Sequence, residues 1–422
     1  FELDGGTIEN TSSFGYGISI NGDASAQIND GIIKITGSNG YAVFHNSTQT
    51  LKMSGGTIIN TANGSHALYL NRGMFEMTGG KIATDCSYSS YAAIYANNGN
   101  GTPNIVISGG EIESGTVGIY APSAPVKITK LTLNTGSYAF QTRYLDIDAV
   151  SNEDVVVNCG TAIVYQFRGS NNQINGGTYT TSTLVKAYTS EDLSTLTIDG
   201  GVFNLDQGKV QSPQNTNISI KSGSFPGADV IDYLPNGMTQ DEEGNVVIDT
   251  ENIVASIGNT TFDNFHDAVA AATSGDTVLL WKDTTVESWD QIWNLSDVTI
   301  DGQNNKLTVG AVTSNGNGNY LVYGAKDLNV KDLTIKFATN GNGFTLDSGK
   351  FDNVDMYAGH SSSYAIFVDT SAAAGAKVEV ESCYFEGFSA AVYSQPGNGT
   401  VVTSDISITQ SIFHACGSTV CS

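Results

Sequence analysis

One short phrase recurs down the N-terminal half of the chain, and it limits the fold more than any other feature. It reads LDGGTI at 3–8, MSGGTI at 53–58, MTGGKI at 77–82, ISGGEI at 107–112, INGGTY at 174–179 and IDGGVF at 198–203, with looser copies at 28–33 and 220–225. The leading apolar residues Leu3, Ile28, Met53 and Met77 stand 25, 25 and 24 apart. A second phrase runs out of phase with it: YGISIN, YAVFHN, HALYLN, AAIYAN, VGIYAP and YAFQTR. Its central apolar residues run Ile18, Val43, Leu68, Ile94, Ile119, Phe140, Val164 and Val185, at intervals of 21 to 26.

Each period therefore encodes two or more short strands with alternation of period two, broken at Gly or Asn turns. No helical pattern lies between the strands, which excludes βαβ units and leucine-rich repeats. A propeller needs four strands in a period of about 40 residues, and that period is absent. Coils of 21–26 residues with three short strands predict an all-β fold, a right-handed parallel β-helix whose inward residues form continuous apolar columns. Asn21, Asn46, Asn71 and Asn97 repeat in step with the second phrase. They predict a ladder of stacked amides at a sharp turn, where Asn tolerates left-handed backbone. The Gly-Gly pairs predict corners at positive φ; no helix follows them, as a phosphate cradle would require.

Near residue 226 the pattern breaks. Residues 227–261 read as a linker with a hairpin. Phe262, Phe265, Ala268, Val269 and Ala272 then lie on one face of a short helix ending near Gly275. Such a helix suits the open apolar end of a solenoid, and strand patterns resume after it. The expected organisation is a first β-helix unit over 1–226, the linker, and a second unit with an N-terminal cap helix over 262–422. Phe1 stands in mid-pattern, so the chain reads as part of a longer or processed protein.

Composition narrows the partners. With 42 Asp and Glu against 18 Lys and Arg the net charge is −24, so nucleic acid is not an expected partner. No run of 18 apolar residues is present, so no membrane-spanning helix is encoded. The five cysteines (86, 159, 383, 416, 421) form no CxxC pair, which argues against zinc. Cys416 and Cys421 read either as a small disulfide loop or as thiols. Abundant Asn, Ser, Thr and Gly with few Lys suits an exported surface protein.

Strand alternation makes a sharper prediction. If Ile18, Val43, Leu68, Ile94, Ile119, Phe140 and Val164 point inward, then Ser19, Phe44, Tyr69, Tyr95, Tyr120, Gln141 and Tyr165 point outward, flanked by Tyr16, Tyr41, His66 and Tyr138. Coils about 4.8 Å apart would make this an aromatic stripe about 25–30 Å long. Tyr16, Tyr41, Phe44, Tyr69, Tyr95, Tyr120 and Tyr165 are the candidate ligand-binding residues. Tyrosine faces stack on sugar rings and their hydroxyls bond to sugar hydroxyls, so an extended glycan, or a segment of a host surface protein, could lie along them. The competing reading is that the rings only stabilise the sheet. His45 alternates inward as a core or turn residue, and His66 lacks an acidic partner.

The second unit holds the best catalytic constellation. Aligning its coils on Leu333, Val354, Cys383 and Ser411 sets Asp355 beside Thr334 and Tyr384, and Lys336, Tyr357, Glu386 and His414 in the next outward column. Asp355 and Glu386 are the alternative acid and base, with His414 in support and His360 in a nearby loop. Against this stands a plain solvated face. Turn Asp and Asn residues could hold Ca²⁺ through oxygen, but the DxDxDG spacing is absent; no other cofactor is expected.

With these coils the chain resembles the pectate-lyase-like β-helix superfamily. More narrowly, at Gly200-Gly201, at Tyr233-Leu-Pro-Asn-Gly237, at Ile257-Gly258 and over Ala268 to Asp283 it is similar to modular adhesin-like surface proteins of Gram-positive, often gut-dwelling, bacteria. The resemblance covers most of the chain. It implies export, attachment to the cell wall and adhesion or glycan handling. The signatures of the superfamily's enzymes are missing: no N-x-D, D-D, G-H-G, R-x-K series and no W-I-D-H with R-x-P-x-x-R. The expectation is therefore a non-catalytic, glycan-binding surface protein, with a polysaccharide lyase or glycoside hydrolase of the same fold as the alternative.

Overall fold

The computed structural model describes residues 1–421 apart from 89–90, 98–102, 168, 188–193, 212–215, 315–317, 360–363, 370–375 and 396–404. The chain forms a parallel β-solenoid of about 15 turns, divided into two compact units, Phe1–Val247 and Ile248–Ser422.

In the first unit each strand pairs in parallel with its counterpart one coil on. Leu3, Ile28, Met53, Met77, Ile107, Ile128, Ile147, Ile174, Ile198 and Ile220 are successive partners in one ladder. The second-phrase residues from Ile18 to Val185 form another, in the register that their spacing implies. Nearly all of these side chains are buried in a single core. Like stands over like because one coil's inward residues are the only apolar surface its neighbour's can cover. A third inward column, running through Leu133 and Val157, ends in aromatic rings: Tyr179, Phe203 and Phe225 stack at centroid separations of 4.8 and 4.7 Å.

The Gly-Gly phrase makes the corner between two strands of a coil. Its second glycine takes φ of +73° at Gly56, +87° at Gly80 and +108° at Gly110. A Cβ on Gly56 would lie 2.8 Å from the Gly31 carbonyl oxygen. The second unit turns the matching corner differently, with Asn304, Asp332, Asn353, Ser382 and Gln410 at φ between +49° and +62°. The glycine signal is therefore missing there although the bend is the same.

The asparagine ladder is present. The Asn46 amide donates to Asn21 Oδ1 (3.2 Å), Asn71 to Asn46 (2.7 Å) and Asn97 to Asn71 (2.6 Å). None of the four adopts the left-handed backbone expected of them. Asn21 and Asn46 lie within the strands Tyr16–Gly22 and Tyr41–Ser47, so the amide bonds, not the backbone conformation, account for the choice of Asn.

Residues 227–261 divide between the units. The 3₁₀ turn Ile231–Tyr233 leads into strands Met238–Gln240 and Val246–Ile248, which form a two-stranded sheet. Ala228, Val230 and Val246 join the core of the first unit. Ala255–Ile257 instead pairs with Thr260–Phe262 and Thr277–Leu280, in the second unit. The helix spans Phe265–Ala271, with the Asn264 side chain accepting from the His266 amide. Phe265, Ala268 and Val269 are buried in the second core. Beyond it Ile300, Val330, Phe351, Val380 and Ile408 repeat the inward column.

Candidate functional site

The outward column of the first unit is a run of stacked rings. Ladder pairing sets Tyr16 against Tyr41, and sets Phe44, Tyr69, Tyr95 and Tyr120 on successive coils. Centroid separations are 5.0 Å for Tyr16–Phe44, 5.4 Å for Phe44–Tyr69, 5.0 Å for Tyr69–Tyr95 and 4.9 Å for Tyr95–Tyr120. The last pair is within 2° of parallel. Tyr41 packs over Tyr69 at 4.6 Å. Tyr16 is exposed and the other five rings are half-buried, so each presents part of its surface outward. Burial raises the hydroxyl pKa of Tyr41, Tyr95 and Tyr120 and pushes that of Tyr69 up to about 12, with neighbouring phenols adding at Tyr41, Tyr69 and Tyr120. These hydroxyls stay protonated and can donate at any ordinary pH.

Tyr165 is not continuous with this run. Gln141 stands between Tyr120 and Tyr165 in the ladder, and it is tucked in, not outward as alternation suggests, with 9% of its surface exposed. Phe167, which the phrase alignment misses, spans the gap edge-on, 5.6 Å from Tyr120 and 5.8 Å from Tyr165. It takes the sixth place of the hexamer, where four earlier coils carry Asn, so an alignment that follows rings at the fourth place passes over it.

His66 is likewise not an outward flank. It is 5% exposed, with its ring 4.2 Å from Tyr95 and 5.9 Å from Tyr41. Its Nδ1 lies 3.0 Å from the Ala92 amide nitrogen and accepts from it. Burial lowers its pKa to about 4, so it is a neutral filler within the stack. His45 is buried in the core, with Nε2 3.0 Å from the Gln49 carbonyl.

The second unit brings the alternative residues together as aligned. Asp355 pairs with Thr334 and Tyr384, Tyr357 with Glu386, and Glu386 with His414. The Tyr384 hydroxyl donates to Glu386 Oε2 at 2.6 Å, and His414 Nδ1 lies 3.6 Å from the same oxygen. That bond to Glu386 pushes the Tyr384 hydroxyl up to about 12, and partial burial raises Asp355. Asp355 and Glu386 lie one coil and two residues apart, so their separation is of order 7–8 Å. His360 falls outside the described residues. Among the described residues no group of three His, Cys, Asp or Glu is placed to hold a metal ion. Cys416 is a free thiol, and the Cys421 side chain lies outside the described residues.

A second ring cluster, unread in the sequence, occupies the other sheet of this unit. Trp293 pairs with Tyr323 and Phe367 with Tyr393, at 4.9 and 5.2 Å. Tyr364 packs on Tyr393 at 4.8 Å. Its signal was available: YLVYGA, YAIFVD and AAVYSQ at 320, 364 and 390 repeat the second phrase of the first unit. Comparison with family models, with curated proteins and with solved structures yields no match.

Proposed function

We propose that the chain is a non-catalytic binding module that docks an extended glycan along the ring column of its first unit. The supporting observation is the half-exposed stack from Tyr16 to Tyr120, held at near-constant pitch by a rigid ladder. Rings repeating at such a pitch suit a polymer of repeating rings better than they suit a compact ligand. The rings cover one another's faces, so the column offers outward a ridge of apolar ring edges with protonated hydroxyls as hydrogen-bond donors. In this reading the chain is a right-handed, pectate-lyase-like β-helix belonging to an exported, wall-linked bacterial protein of adhesin type. Binding measured on an array of extended oligosaccharides should fall about tenfold or more for each of Tyr69→Ala, Tyr95→Ala and Tyr120→Ala, from a stacking contribution of about 1–2 kcal/mol per ring. Unchanged binding in all three variants rejects the stripe.

A second reading draws on the Asp355, Glu386 and His414 cluster. Two carboxylates on adjacent coils, one more protonated than usual and one held by a phenol, are the groups a glycosidase needs. Release of reducing or unsaturated sugar from polysaccharide, abolished by Asp355→Ala, would favour it over simple docking.

A further inference from the structure

The chain has three arginines, Arg72, Arg143 and Arg168, among 42 carboxylate side chains. Among the described residues nine lysines form ion pairs with carboxylates, Lys34 with Glu9 at 3.3 Å and Lys350 with Glu381 at 2.9 Å among them. Arg72 and Arg143 do not: among the described residues neither side chain has an ion-pair or hydrogen-bond partner, and the Nε of each is buried without one. Arg168 falls outside the described residues. An arginine without a carboxylate is unexpected in a protein of net charge −24, since desolvating its guanidinium without a partner costs free energy.

Both arginines border the ring column. The ladder pairs Gln141 with Tyr165 and Thr142 with Gln166, so Arg143, in the strand Tyr138–Asp148, stands one coil before Phe167, the ring that spans the gap. That is the coil at which the rings are interrupted between Tyr120 and Tyr165. Arg72 follows Asn71 of the amide ladder, directly after the strand that carries Tyr69. Acid is scarce along this border. The segments 21–25, 46–49, 71–73, 121–125 and 141–144 contain a single carboxylate, Asp23, and that one accepts from the Thr48 hydroxyl.

We propose that the stripe selects glycans carrying a sparse acidic substituent, a carboxylate or a sulfate ester, which Arg143 receives at the gap in the ring column and Arg72 receives three coils away. The planar guanidinium matches either oxyanion with two parallel hydrogen bonds. The overall negative charge repels a densely charged polymer, so the ligand is a mostly neutral chain with isolated acidic groups. This rests on the docking reading of the stripe and names its ligand class.

The test uses the whole chain and three probes: a neutral hexose oligosaccharide, the same oligosaccharide with one uronic carboxylate, and the same with one sulfate ester. The wild-type protein should bind at least one acidic probe about tenfold tighter than the neutral one, as a charge-assisted pair implies. The preference should shrink at high salt. Arg143→Gln should bring the ratio close to one, and Arg143→Lys, which keeps the charge without the fork, should restore part of it; far-ultraviolet circular dichroism checks that each variant is folded. Equal binding of all three probes that still falls in Tyr95→Ala overturns the acidic preference and leaves the stripe standing. Binding to none of the three overturns both, and a preference that survives Arg143→Gln and Arg72→Gln removes the arginines from it.

Discussion

His66 is the residue at which the sequence is least informative. Alternation places it on the flank of the stripe, and nothing in a linear chain announces that the Ala92 amide will donate to its Nδ1 or that rings from three coils will cover it. Its burial has a measurable consequence. The folded-state pKa is about 4, against about 6.5 in an unfolded chain. Between those values the unfolded state takes up the extra proton, so this stabilisation is complete above pH 6.5 and declines as pH falls towards 4. The expected loss is about 3 kcal/mol at most. Thermal melts of wild type and His66→Gln at pH 7 and pH 4 should show the larger acid-dependent drop in wild type. Equal drops would mean that His66 protonates without breaking its bond. The phenols nearby behave oppositely in kind, because burial makes them keep their protons, and the alternation that misplaces His66 did place Tyr69, Tyr95 and Tyr120 where they are.

The coil is the element, and its corner decides how much of it can be read in advance. Where the corner is Gly-Gly the phrase announces it, and the registers of the first unit follow from counting. Where the same bend is made by Asn304, Asp332, Asn353, Ser382 and Gln410 no phrase survives, and the ring cluster around Tyr323, Phe367 and Tyr393 went unread. Thr345 interrupts that cluster, as the partner of Phe367, in the way that Gln141 interrupts the first. The glycine corners that have a coil stacked beneath them, at Gly56, Gly80 and Gly110, leave no room for a side chain. Gly56→Ala combines φ of +73° with a Cβ 2.8 Å from the Gly31 carbonyl oxygen, so it should destabilise the first unit by about 1–3 kcal/mol. A shift in the urea midpoint of that size, with an unchanged slope, is the expected readout; no shift would mean that the neighbouring coil yields.

At the scale of the whole molecule, the two cores are separate sets of side chains, and the polypeptide changes allegiance near residue 247. The sequence located a break but not its place, because Ala228, Val230 and Val246 look like linker residues until Phe225 and its stacked predecessors are seen to need covering. Residues 1–247 and 248–422, expressed apart, should each unfold cooperatively in a thermal scan; a unit without a transition would mean that its core depends on the other. Along the first unit the amide column has a one-way sense. The Asn46 amide donates to Asn21, Asn71 to Asn46 and Asn97 to Asn71, and the same direction recurs where Asn29 donates to Asp4 and Asn353 to Asp332. In both mixed pairs the aspartate occupies the earlier coil. A row of this kind can begin on a group that only receives but cannot finish on one, so an oxygen in place of the amide nitrogen costs only the side bond to Ser19 at the head, whereas at the tail it breaks the row itself.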